Sequence, residues 1–136
     1  MPKRVITNAY VSINSVDLSA FVKQVTLDWK AEVQDDTSMG ATARSRLPGL
    51  RDWSFDVEFF QGYGASEVDA TLFSLVGASA FAVELRGDGA AVSATNPKYT
   101  GTALLENYQP VAGTVGEAQM APARFVGRGT LTRATA

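Results

Sequence analysis

The segment "RDWSFDVEFFQ", Arg51 to Gln61, alternates with a period of two: Trp53, Phe55, Val57 and Phe59 against Ser54, Asp56 and Glu58. Successive side chains of a strand point to opposite faces, so this is a strand with one apolar and one wet face. Slipping its register by one residue would bury two carboxylates and expose four large apolar groups. The register is therefore firmly set, and a chain organised around it is a sheet protein.

The same pattern recurs elsewhere. In "AYVSI", Tyr10 and Ser12 oppose Val11 and Ile13, and "NS" supplies a turn before Val16 and Leu18. From Phe21 the odd positions Phe21, Lys23, Val25, Leu27 and Trp29 share a face against Val22, Gln24, Thr26 and Asp28. "SAFAVELRGDGAAV" predicts a strand with Phe81, Val83 and Leu85 inward, ending at the glycines. "KYTGTALLENYQPV" and "ARFVGRGTLTRA" add two more β segments, with a connection from Gln109 to Pro122.

"SEVDATLFSLVG" is the one good helix, expected over about 66–76. Ser66 is its candidate cap, Asp69 follows three residues on, Gly77 is the stop, and Val68, Leu72, Leu75 and Val76 form its apolar stripe. Six to eight strands and one helix predict a single domain over 1–136. The expected class is mainly β: a β-sandwich or partly closed barrel with one flanking α-helix.

"DDTSMGATARSRLPGLRDW" breaks the alternation and predicts a long loop over about 35–51, with Pro48-Gly49 as its turn. Met39, Leu47 and Leu50 are apolar anchors, and Arg44 and Arg46 suit bidentate pairing with a partner's carboxylates. Long loops with such anchors serve as binding elements.

Composition removes several chemistries. The 136 residues contain no cysteine and no histidine, which excludes disulfides, His- or Cys-ligated zinc and His-dependent nucleophilic catalysis. The formal net charge is −2, without a dense basic cluster, so sequence-reading nucleic-acid binding is not expected. "MPKRVITNAYVSI" is not a secretory signal and no stretch has the length of a membrane helix, so a cytosolic origin is expected. Carboxylates remain: Asp56 with Glu58, and Glu84 and Glu106 on other strands, but a solvated sheet face is the better reading than an acid pair. Asp35-Asp36 lacks the calcium-loop pattern, "RGDG" reads as a strand-ending turn, and "GRG" at 127–129 lacks the features of a phosphate loop. No catalytic, metal or cofactor residue is assigned, and an enzyme is not expected.

The blocks "NAYVSINSVDLSAFVKQVTLDW", "MGATARSRLPGLRDWSFDVEFFQ", "VDATLFSLVG" and "AAVSATNPKYTGTALLENYQPVAGTVGE" follow one another over nearly the whole chain. In that order they resemble the tail tube (major tail) proteins of long-tailed bacteriophages. The resemblance implies six-membered rings stacked into a hollow tube, an inner barrel continued across subunits, and an inter-subunit loop, here Asp36 through Leu50. It implies a virion protein assembled in the host cytoplasm, with tape measure, terminator and distal tail proteins as partners, no membrane, and DNA passing through without specific binding. Asp28, Asp56, Glu58 and Glu84, on polar strand faces, are the candidate lumen-facing acids, repelling phosphate within about 8 Å at physiological salt. A tail terminator or connector ring is the alternative within that class. A small β-barrel ligand or glycan binder, using Tyr10, Tyr63, Tyr99 or Tyr108, is the alternative outside it.

Overall fold

The computed structural model describes Lys3 and residues 5–135. Seven antiparallel strands form one open sheet: β1 (Tyr10–Ile13), β2 (Val16–Asp17), β3 (Val22–Asp35), β4 (Arg46–Phe60), β5 (Phe81–Arg86), β6 (Lys98–Tyr108) and β7 (Met120–Ala134). The spatial order is β2-β1-β5-β6-β7-β4-β3. The mainly β expectation holds, in the form of one continuous, unclosed sheet. A single short helix, α1 (Val68–Leu72), runs into a 3-10 turn at Phe73–Leu75.

The alternation of β4 has the predicted result. Trp53, Phe55, Val57 and Phe59 are buried, and Ser54, Asp56 and Glu58 lie on the opposite face. Val11, Ile13, Phe81, Val83, Leu85, Ala103, Leu105 and Phe125 join them in one core, which Val68, Leu72 and Leu75 cover from the helix. Phe55 stacks on Phe125 at 4.5 Å between centroids, and Phe81 meets Phe125 edge-on at 6.1 Å. The "NS" turn is as read: Asn14 and Ser15 have φ of 51° and 68°, the left-handed pair a two-residue hairpin needs.

Trp53 controls the middle of the sheet. Its indole lies over Gly127 of β7 and Gly101 of β6. A Cβ at Gly127 would fall 2.2 Å from the ring, and one at Gly101 would fall 2.7 Å away. Glycine in a strand interior costs stability unless something must approach closely, and here the largest side chain does. The indole Nε1–H donates to the Gly129 carbonyl at 3.2 Å.

Four expectations are corrected. The helix is shorter than 66–76 because Ser66 sits at φ 61° and cannot begin it. Glu67 precedes the first turn, its carboxylate accepting from the Gly64 amide at 2.9 Å rather than capping. Val76 leaves the apolar stripe for a parallel bridge to Leu105 and is half exposed. A register shift between Val22 and Gln24 takes Lys23 out of the expected face, and Trp29 lies beyond the core at 45% exposure.

The fourth correction is the largest. Residues 35–51 are not mainly loop: β3 and β4 stay paired out to Asp35↔Arg46, leaving only 36–45 as connection. Pro48 and Gly49 lie within β4 and do not form a turn. β7 pairs with β4 only from Ser54 to Phe60, so residues 46–52 have one free side, where a proline without N–H is tolerated. Gly49 also lets the backbone pass Glu32, whose carbonyl a Cβ would meet at 3.1 Å.

Replacing Gly127 by Ala is expected to destabilise the domain by about 1–3 kcal/mol through overpacking against Trp53. Urea unfolding checks this: the midpoint falls while its slope is unchanged. A midpoint equal to wild type would refute the packing role.

Candidate assembly surfaces

Beyond Trp53, β3 and β4 leave the sheet as a two-stranded arm. Every residue from Asp28 to Asp52 except Thr37 is exposed. At about 3.4 Å per residue, the stretch from Asp52 to Arg46 carries the arm roughly 20 Å past the core. Of the residues read from sequence, Met39 at the tip is fully exposed, Leu50 is 80% exposed, and Leu47 is about half exposed. Val33 (58%) and Trp29 are exposed there too; alternation put Trp29 on an inner face, and Val33 was assigned to neither face.

The tip is internally ordered. The Asp35 carboxylate accepts from the Thr37 amide at 2.9 Å and from Arg44 Nη1 at 2.7 Å. The Thr37 hydroxyl accepts from the Ser45 amide at 2.7 Å, while the Asp36 amide donates to the Ser45 carbonyl at 3.0 Å. Hydrogen bonds from Thr37, with a smaller contribution from Arg44, hold the Asp35 carboxyl below its ordinary value of 3.8. Arg44 is thus occupied within its own chain. Arg46 makes no ion pair among the described residues.

The polar sheet face carries the other predicted residues. Asp28 stands opposite Ser54, while Thr26 is paired with Asp56 and Gln24 with Glu58, so Asp28, Asp56 and Glu58 share one patch. Arg124 of β7 sits among them. Its Nη1 donates to both Asp56 oxygens at 3.1 and 3.0 Å, and its Nε lies 3.7 Å from Glu106. These carboxylates, Asp56 first, hold Arg124 still more firmly protonated than usual. A shallow hollow of about 320 Å³, lined by Gln24, Thr26, Asp56, Glu58, Asn107 and Arg124 among others, opens over this patch. Glu84 is not part of it. It lies on β5, two strands from β7, and accepts from Arg86 Nε at 2.7 Å. Arg86 in turn lies 4.3 Å over the Tyr10 ring.

Asp56, Glu106 and Glu84 each lie beside an arginine on the polar sheet face. Among the described residues no cluster of His, Cys, Asp and Glu could hold a metal ion, and no helix is long and apolar enough to cross a membrane. The tyrosines do not converge on a concave site. Tyr10 lies on the Arg86 face, Tyr99 borders the core with Val25, Leu27 and Leu85, and Tyr63 and Tyr108 lie at the end away from the arm.

That far end is a second built surface. The Tyr108 hydroxyl donates to Asp69 of α1 at 2.9 Å and accepts from Gln61 Nε2 at 3.0 Å. The Tyr63 hydroxyl donates to the Pro110 carbonyl at 3.2 Å and accepts from Gln119 Nε2 at 2.7 Å. This network ties the 109–119 loop to the helix approach. Val111 and Val115 nevertheless point outward, at 78% and 103% exposure. Two valines inside the glycine-bearing "PVAGTVGE" were the available sequence signal.

No protein-family profile and no curated protein matches the chain. Solved structures do. A chain from the virion of a native gene transfer agent particle superposes with a TM-score of 0.75 at 13% identity, covering 96% of this chain and 98% of that one. A chain from the sheath/tube terminator of an extracellular contractile injection system in the extended state gives 0.72 at 9% identity, covering 98% and 97%. One from the sheath-tube complex of such a system gives 0.69 at 9% identity, covering 99% and 93%. The chain therefore has a tail tube-like fold, in agreement with the resemblance read from its sequence.

Two pH responses follow. Burial, with Asp69 adding to it, pushes Tyr108 from 10.0 up to about 12. The neutral phenol is the folded form, so its contribution is complete below pH 10 and is lost as pH rises from 10 through about 12. Thermal midpoints should fall across that interval, and Tyr108→Phe should remove that part of the slope. Asp35 is shifted the opposite way: its contribution is present above 3.8 and is lost as pH falls through a lower value. The Thr37 amide resonance should move in that acid range while core resonances stay in place.

Proposed function

We propose that this chain is a structural protein of a phage-like tail, whose copies form six-membered rings stacked into a hollow tube that conducts DNA. The observation that carries the reading is the end-to-end likeness to chains of tail-type assemblies, with nearly all of both chains covered. It is supported by an open sheet with two unpaired edges, a 14-residue β3 on one side and the two-residue β2 with β1 on the other. Such edges invite strand pairing with a neighbour, and a ring closes them. No catalytic role is proposed.

In this reading the arm, through Met39, Arg44, Arg46, Leu47 and Leu50, grips an adjacent subunit. Burying each of its large apolar side chains would contribute about 1.5–3 kcal/mol. Asp28, Asp56, Glu58 and Glu84 would face the lumen, where Arg124 and Arg86 offset part of their charge and leave a weakly acidic wall. DNA then slides without sticking. Tape measure, terminator and distal tail proteins are the expected further partners, in a tail assembled in the host cytoplasm. The likeness to a chain from a sheath/tube terminator structure supports a second reading, a ring that ends a tube and does not extend it.

Electron microscopy of the purified protein separates the two readings: long tubes for the first, single rings for the second. The double substitution Arg44→Ala, Arg46→Ala removes one exposed ion pair worth less than about 1 kcal/mol, so the subunit should stay folded. Its tubes should be markedly fewer and shorter. Tubes of normal length and yield would refute the arm's role.

A further inference from the structure

We infer that residues 5–9 form a strap poised to close over the free edge of β3, and that the closed form keeps a neighbouring copy off that edge. The inference rests on the tube reading and adds a control on when the edge becomes available. The structure holds the open form.

The strap stands where the two borders of the sheet come together. Every pairing along the path β1-β5-β6-β7-β4-β3 is antiparallel, so β1 and β3 themselves run antiparallel. The turn between them stitches the borders: the Leu18 amide donates to the Val11 carbonyl at 2.9 Å, and the Val11 amide donates to Ser19 Oγ at 2.9 Å. Just upstream of that stitch, residues 6–9 face residues 22–25 across a groove of about 310 Å³. The other side of the segment is anchored, since the Gly89 amide donates to the Asn8 carbonyl at 2.8 Å. Among the described residues no backbone hydrogen bond joins 6–9 to 22–25.

Closing the groove is a short step between opposing terms. The stitch at Val11 has already brought the two segments together, so each further pair orders few additional residues. Val5 and Ile6 are 82% and 64% exposed. Through Val25 the groove adjoins a shallow apolar slot of about 170 Å³ that Leu27, Leu85 and Tyr99 also line. Seating Ile6 there takes apolar surface out of water. Against closure stands the register shift between Val22 and Gln24, which breaks the ladder where the strap would pair. An edge that can be covered, yet is blunted at one residue, suits a contact that is made and released. A neighbour's strand competes with the strap for the same backbone groups, so one excludes the other.

The chain has no cysteine, so an introduced pair reports alone. Thr7→Cys and Gln24→Cys lie on the two walls of the groove, and a disulfide between them needs Cα atoms within about 7 Å. Mild oxidation should give a monomer with an internal disulfide, and Thr102→Cys in place of Gln24→Cys should give none. Adding Ile6→Asp to the first pair should slow formation of the bond about tenfold. The oxidised protein should stay unassembled, and reduction should restore its tubes. Failure of the disulfide to form, or a rate that Ile6→Asp leaves unchanged, would overturn the strap. Tubes from the oxidised protein at the reduced protein's yield would overturn its hold on assembly and leave the tube reading standing. Absence of tubes from wild type and variants alike would overturn the tube reading, and the strap's role in assembly with it.

Discussion

The packing of Trp53 against Gly127 and Gly101 governs the rest of the architecture, because it stands where the sheet divides. β7 pairs with β4 as far as Val126 opposite Ser54, then continues along β6 alone to Ala134 opposite Lys98. β4 and β3 continue in the other direction as the arm. A fork between two ribbons leaves a wedge that must be filled, and the indole fills it, bonded through Nε1 to the Gly129 carbonyl on the departing strand. Two glycines are needed because nothing larger fits beneath a flat ring at that separation. The projecting arm and the buried core thus share one cause.

This explains which features were legible in the sequence. The register of β4, the hairpin at Asn14-Ser15, and the inward set Phe81, Val83 and Leu85 all follow from alternation, which reports burial on one face. Alternation is silent where both faces are wet. From Trp29 to Asp52 no side chain is buried, so the pattern that marks a strand disappears although the backbone ladder persists. Pro48-Gly49 then imitates a turn. Its real basis is a strand with one side unpaired and a close pass of Glu32. The helix start was misread for a related reason: the two residues read as its cap, Ser66 and Asp69, are taken by a left-handed backbone and by Tyr108.

The charged groups read from sequence were found as residues but not as pairs. Asp56 and Glu58 alternate visibly with the core, yet nothing local shows that Arg124, 68 positions from Asp56, lies across the ladder. Long-range pairing of this kind needs the topology. It also changes the electrostatic picture, since the polar face is a mixed field in which each acidic cluster carries a cation. Exposed pairs of this kind contribute little to stability. Their effect is on the potential of the face, which stays weakly negative and does not become a dense wall of charge.

The energetics of the arm point outward. A two-stranded hairpin without a packed face is at best marginally stable in water, and this one lacks a third strand through its whole exposed length. Its ladder, the Thr37–Ser45 bonds and the Asp35–Arg44 pair act along and across the ribbon and set its shape. They do nothing for Met39, Leu47, Leu50 and Val33, whose apolar surface remains in water. The shape is held by polar bonds, and its apolar groups gain nothing from the subunit's own packing. The 109–119 loop repeats the arrangement at the opposite end: hydrogen bonds through Gln61, Tyr63 and Gln119 fix its course while Val111 and Val115 stay exposed. Both ends of the chain thus combine a course fixed by polar bonds with apolar side chains that the subunit itself leaves in water.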